Sequence, residues 1–238
     1  MEGITIKKVK TGEEKHSSDW GFILENSMPQ ETPAPKVYYV DIPGRHGKLD
    51  LTEDLCGLRF NGRHIPICLG GMKEKSSWPD AYSKFLNAYH GQKVEITLDV
   101  DPEWYYRGRF LVKGSLERVA RLGKLECELD AEPFKYRKVS TLEPWKWDPF
   151  SFVDGIIRNY GDIAVDGNLE FRVVGDEHNV EFEILLLSGE VSVSFRGVEH
   201  PLKPGRNVFY DYGLNKGDNW LTFTGSGHVA IDYKEVSL

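Results

Sequence analysis

The run Val180-Glu181-Phe182-Glu183-Ile184-Leu185-Leu186, followed by Val191-Ser192-Val193-Ser194-Phe195, puts an apolar residue at every second position. A strand with one buried and one solvated face has that period, because successive side chains point to opposite sides of a sheet. The flanking sequence repeats it. Leu169, Phe171 and Val173 stand opposite Glu170 and Arg172; Val208, Tyr210 and Tyr212, then Leu221 and Phe223, then Val229, Ile231 and Tyr233 continue the series. Gly189-Glu190, Arg196-Gly197, Pro204-Gly205 and Lys216-Gly217 separate the runs with turn residues. Residues 150–238 therefore read as an antiparallel β-sandwich of roughly eight strands, with no sustained helix.

Upstream, Ser140-Thr141-Leu142-Glu143-Pro144-Trp145-Lys146-Trp147-Asp148-Pro149 breaks every periodicity, so residues 139–149 are expected to be a linker. Residues 1–138 form a first module with extended segments at 3–9, 20–25, 36–42, 63–69, 93–98, 104–113 and 124–131. One helix interrupts them. Trp78, Ala81, Tyr82, Phe85, Leu86 and Tyr89 recur at offsets of three and four, Ser76 or Ser77 can cap the start, Pro79 is tolerated in the first turn and Gly91 marks the end. The fold class is mainly β with one α-helix: a small sheet or barrel carrying that helix, then the sandwich.

At 238 residues the chain can bury two modest cores, and a hydrophobic content of 40% fits a folded protein. The net charge of -7 is unevenly placed: residues 1–138 hold 22 Lys and Arg against 21 Asp and Glu, and residues 139–238 hold 8 against 16. The acidic second half argues against gripping nucleic acid phosphates. Cys56, Cys68 and Cys127 are odd in number and lack C-x-x-C spacing, so inert thiols are expected rather than disulfides or zinc. The start lacks a basic n-region and an apolar h-region, and no apolar run approaches a membrane span. Cytosolic synthesis without a signal peptide or membrane insertion is the expectation.

No stretch carries a nucleophile elbow, a phosphate-binding glycine pattern or metal-ligand spacing. Asp99, Asp101 and Glu103 can hold a hard cation, but Asp101 precedes Pro102 and an Asp-Pro turn explains it as well. Asp176, Glu177 and His178 read as a solvated hairpin. Catalytic, cofactor and metal sites are all expected to be absent. The polar loop Asp41–Glu53 projects Arg45, His46 and Lys48 from a path set by Pro43, Gly44 and Gly47, which suits contact with a partner or bracing of the loop itself. In the acidic sandwich, exposed aromatics can stack sugar rings, and Trp220, Tyr210, Tyr212 and Tyr160 are the candidates. Alternation places Tyr210 and Tyr212 on the inward face and Trp220 out of phase with Leu221 and Phe223; an exposed ring, a bent strand or a sheet edge explains the latter.

Three blocks resemble the distal tail protein (Dit) family of long, non-contractile, siphovirus-type phage tails: Tyr38–Glu53, Leu98–Arg109 with Trp104-Tyr105-Tyr106, and Cys127–Tyr136 with Glu132-Pro133-Phe134. Their order covers most of residues 1–138. The resemblance implies an N-terminal split β-barrel with a packed helix and a C-terminal galectin-like or carbohydrate-module-like jelly roll. It also implies a structural protein of the virion tail, in a phage or prophage baseplate, without catalysis. Such proteins form homo-oligomeric, hexameric rings that join the tail tube to tail-tip and receptor-binding proteins. The alternative is an adhesin module whose sandwich recognises host cell-surface carbohydrate.

Overall fold

The computed structural model describes residues 3–25, 31–55, 57–71, 78–119, 122–139, 141–142, 160–175, 177–195 and 197–238. The chain divides into two units, Met1–Tyr136 with Leu238, and Arg137–Ser237. Most of the segment expected as a linker, and the expected helix caps Ser76 and Ser77, lie outside the described residues.

In the first unit β1 (Ile4–Lys8), β2 (Glu14–His16), β3 (Phe22–Leu24), β8 (Arg63–Gly71), β9 (Lys93–Leu98), β10 (Asp101–Val119) and β11 (Leu122–Arg137) form one curled sheet in the order β2-β1-β9-β10-β11-β8-β3. Register explains its single apolar face. Ile4 pairs with Leu98 and Ile6 with Ile96, while Ile65 pairs with Leu129 and Leu69 with Leu125, so buried residues meet buried residues across each ladder. The helix expected from the aromatic stripe spans Trp78–Tyr89 and is called α2, α1 being the single turn Thr52–Leu55. Gly91 follows with φ +74, a left-handed conformation that stops the helix. Phe85, fully buried, is ringed by Trp20 at 5.7 Å, Phe22 at 5.2 Å, Tyr89 at 5.0 Å and Phe110 at 5.9 Å. This cluster joins α2 to the sheet face that bears Ile4, Ile6, Ile65, Ile67 and Leu69.

The second unit holds β12 (Ile163–Gly175), β13 (Val180–Phe195), β14 (Val198–Pro201), β15 (Gly205–Leu214) and β16 (Gly217–Tyr233). The expected antiparallel pattern is present, but five described strands replace the roughly eight read from separators. Gly189-Glu190 is not a turn. It lies inside β13, where the register with β16 shifts between Leu186 and Ser188, so two apolar runs belong to one bent strand. The first half of β13 pairs with β15 and the second half with β14. Phe182 and Phe195 would stand ~43 Å apart along a straight strand, yet their ring centroids are 6.0 Å apart. The strand therefore folds over itself, and its two halves close a sandwich around Phe182, Ile184, Val193, Phe223 and Ile231, all buried.

Gly189 makes the bend possible. Its φ is +83, and a Cβ there would lie 2.1 Å from the Ser226 carbonyl oxygen and 2.5 Å from the Gly227 Cα. Only a residue without a side chain lets the two backbones approach so closely.

Cys127 is buried on the inward face opposite Ile67, whereas Cys68 points outward and donates to Glu25 Oε2 at 3.0 Å. Cys56 lies outside the described residues. Burial, aided by the Glu25 carboxylate, pushes the Cys68 thiol up to about 11. At pH 8 the thiolate is then about a thousandth of the population, so iodoacetamide should label Cys68 roughly a hundredfold more slowly than an open cysteine, accelerating tenfold per pH unit. Peptide mass spectrometry reads this directly; labelling at the open-thiol rate would contradict the Glu25 contact.

Candidate functional site

Between β3 and β8 the chain leaves the large sheet and builds two small ladders. In one, β4 (Pro35–Lys36) pairs with β7 (Arg59–Phe60); in the other, β5 (Tyr39–Asp41) pairs with β6 (Lys48–Asp50), with Tyr39 opposite Asp50 and Asp41 opposite Lys48. Each forms a separate two-stranded sheet. The arm is pinned at its base, where Asn61 N–H donates to the Ala34 carbonyl at 2.8 Å and Phe60 meets Phe134 edge-on at 5.8 Å. Further out, Asp50 Oδ1 accepts from both the hydroxyl of Thr52 at 2.6 Å and its N–H at 3.0 Å, while Thr52 Oγ1 accepts from Tyr38 N–H at 3.0 Å. These bonds hold the Asp50 carboxyl below the usual range, the hydroxyl first.

Arg45, His46 and Lys48 all sit on the exposed end of the β5–β6 hairpin. Gly44 and Gly47 bracket the turn with φ of +85 and +75, and Arg45 N–H donates to the Ile42 carbonyl at 3.1 Å. The loop is braced through its backbone. Unexpected from the sequence is the exposure of the apolar residues beside them: Tyr38, Tyr39, Val40 and Ile42 are open to solvent, together with Leu55 and Leu58. Tyr39 and Val40 are adjacent in one strand, so they point to opposite sides and neither side of the hairpin is covered. Their alternation carries no mark of this, because burial depends on what packs against a strand.

At the arm's root Arg63 is 4% exposed, with its guanidinium 5.0 Å over the Tyr106 ring. Its Nε and Nη2 have no hydrogen-bond partner among the described residues, and burial lowers its pKa.

The structure also brings Asp99, remote in sequence, to the neighbouring pair His16 and Ser18. Ser18 Oγ is 2.7 Å from His16 Nδ1, and Asp99 Oδ1 is 3.2 Å from His16 Nε2. Their bonds already serve local structure: His16 Nδ1 accepts from Ser18 N–H as the cap of the 3-10 turn Ser17–Trp20, and Asp99 Oδ2 accepts from Gly3 N–H at 2.8 Å. The acids considered for a cation are otherwise engaged, Asp101 with Lys135 at 2.8 Å. Glu177 pairs with Lys216 at 2.6 Å. No group of three or more metal-ligating side chains occurs among the described residues, and no described helix is long and apolar enough to cross a membrane.

Of the four aromatic residues expected to meet sugars, Trp220 is 59% exposed. Its neighbours Asn219 and Leu221 are both buried, so it occupies the outward position of a regular strand and no bend is needed. Tyr160 corrects the expectation: it is buried against Phe171 and Tyr233, with its hydroxyl accepting from Val174 N–H, because these contacts make its ring part of the core. Tyr212 is half-buried, edge-on to Phe195 at 5.1 Å with its hydroxyl 3.3 Å from His200 Nε2. The side chain of Tyr210 lies outside the described residues.

No family model matches the sequence, and no curated protein does. Among solved structures, the crystal structure of the SPP1 Dit protein (gp 19.1), a paradigm of the hub adsorption apparatus in phages that infect Gram-positive bacteria, aligns with 99% of this chain and 99% of its own. The TM-score is 0.58 at 12% sequence identity. A mainly-β chain whose first unit packs α2 on a curled sheet, and whose second is a folded-over antiparallel sheet, thus has a Dit-like fold.

Proposed function

We propose that this chain is a structural component of a phage or prophage tail tip, assembling through its first unit into a hexameric ring that joins the tail tube to the adsorption apparatus, without a reaction of its own. The observation that carries this reading is the uncovered arm. An isolated two-stranded hairpin is marginal in water, and one with apolar residues open on both sides presents two different surfaces to a neighbour. A head-to-tail contact between unlike patches closes into a ring when the rotation closes. The near-neutral charge of the first 138 residues favours packing between copies, and the Dit-like fold supports the tail-tip setting.

Arg45, His46 and Lys48 are the polar part of this contact, with Arg45 pairing with a carboxylate or carbonyls of the adjacent copy. Sedimentation velocity across protein concentration tests the proposal. The wild type should show a ring-sized species, and Arg45→Ala should lower its fraction severalfold; unchanged assembly would remove Arg45 from the interface, and a monomer throughout would count against the ring.

A second reading, recognition of a surface carbohydrate by the second unit, is favoured by the exposure of Trp220. The ring would then multiply a weak contact into avidity.

A further inference from the structure

We infer that the outward sheet face around Trp220 is a binding site for neutral polysaccharide, with the indole as a stacking platform and the Arg172–Asp218 pair as its hydroxyl-binding edge. This deepens the carbohydrate reading of the second unit and rests on it. Strand register assembles the face: Arg172 on β12 lies directly opposite Trp220 on β16, and in the next row Glu170, Thr222 and Ser194 stand side by side across β12, β16 and β13. Arg172 Nη1 is 3.5 Å from Asp218 Oδ2, and both side chains are at least half exposed. The strands beneath are anchored by buried Leu221, Phe223 and Val173, so the platform is rigid.

The residue types select the ligand. An indole face takes the C–H face of a pyranose, while planar carboxylate and guanidinium groups bind pairs of neighbouring ring hydroxyls with two bonds each. Val174, opposite Asp218, is the one apolar side chain beside Trp220 on this face among the described residues of β12; Arg172, Asp218, Glu170 and Thr222 are charged or hydroxyl-bearing, unlike the apolar surround of a protein hot spot. Charge sets the class. Asp218 already engages the guanidinium of Arg172, Glu170 adds a negative charge, and residues 139–238 hold 16 acids against 8 bases, so anionic polymers are repelled and neutral ones admitted.

The test is a glycan array with the full chain, carrying neutral oligosaccharides of glucose, galactose and N-acetylglucosamine beside polyglycerol phosphate and sialylated glycans, with sedimentation run in parallel. Expected is binding to one or more neutral glycans, reduced at least tenfold by Trp220→Ala and severalfold by Arg172→Ala, with assembly unchanged. Neutral-glycan binding that survives Trp220→Ala would overturn this site and leave the carbohydrate reading standing. Binding confined to the anionic glycans would overturn the ligand class, and no binding to any glycan at high protein concentration would overturn both the site and the carbohydrate reading.

Discussion

Phe85→Ala is expected to destabilise the first unit by about 3–5 kcal/mol, the range for deleting a buried phenyl ring from a packed core. Phe85 is fully buried, and four aromatic rings meet it within 5.9 Å, mostly edge-on. Each such contact contributes beyond the area it covers, and none can follow a methyl group inward, since Phe22 and Phe110 are held in strands, Trp20 in the 3-10 turn and Tyr89 on the helix. The loss should lower the thermal midpoint of this unit by roughly 10–20 °C. Phe85→Leu keeps most of the volume and should cost less than about 1.5 kcal/mol. Urea titrations of the three proteins decide the matter; a Phe85→Ala cost below about 1 kcal/mol would mean that α2 does not plug the curled sheet.

Gly189→Ala should have a comparable effect on the second unit, about 3–5 kcal/mol, though it adds a single methyl. Two costs combine, a left-handed backbone at φ +83 and a methyl placed 2.1 Å from the Ser226 carbonyl oxygen. Gly205 separates them. Its φ is +86, yet a Cβ there meets nothing within 4 Å, so Gly205→Ala should cost only the conformational part, about 1 kcal/mol. Equal losses in the two variants, measured by denaturant unfolding, would show that the backbones at the bend separate easily and that contact across β13 does not define the fold.

Those two glycines also show where the sequence stops being informative. Gly189, Gly205 and Gly217 all have positive φ and all follow apolar alternation, so all three read as turns. Only the first lies against a strand that arrives more than thirty residues later. The helix was legible to its last residue, because an aromatic stripe ending before Gly91 depends on neighbours three and four positions away. Trp220 was legible for the same local reason, its phase against Leu221 and Phe223. Tyr160 was not, since nothing periodic surrounds it and its burial is decided by Phe171 and Tyr233. The exposure of Arg45, His46 and Lys48 was legible from their charges, but the exposure of Tyr39 and Val40 depends on the absence of a covering layer, which no local pattern encodes.

The bonds among Asp50, Thr52 and Tyr38 bear on how tightly the arm would be held in the proposed assembly. Ordering a flexible backbone costs roughly 1–2 kcal/mol per residue, and a surface that must first order its ligand binds more weakly for it. Here the extended form is set by the chain's own carboxylate and hydroxyl. In the assembly proposed above, a neighbouring copy would meet a hairpin already braced by its own bonds, which lowers the ordering cost of that contact.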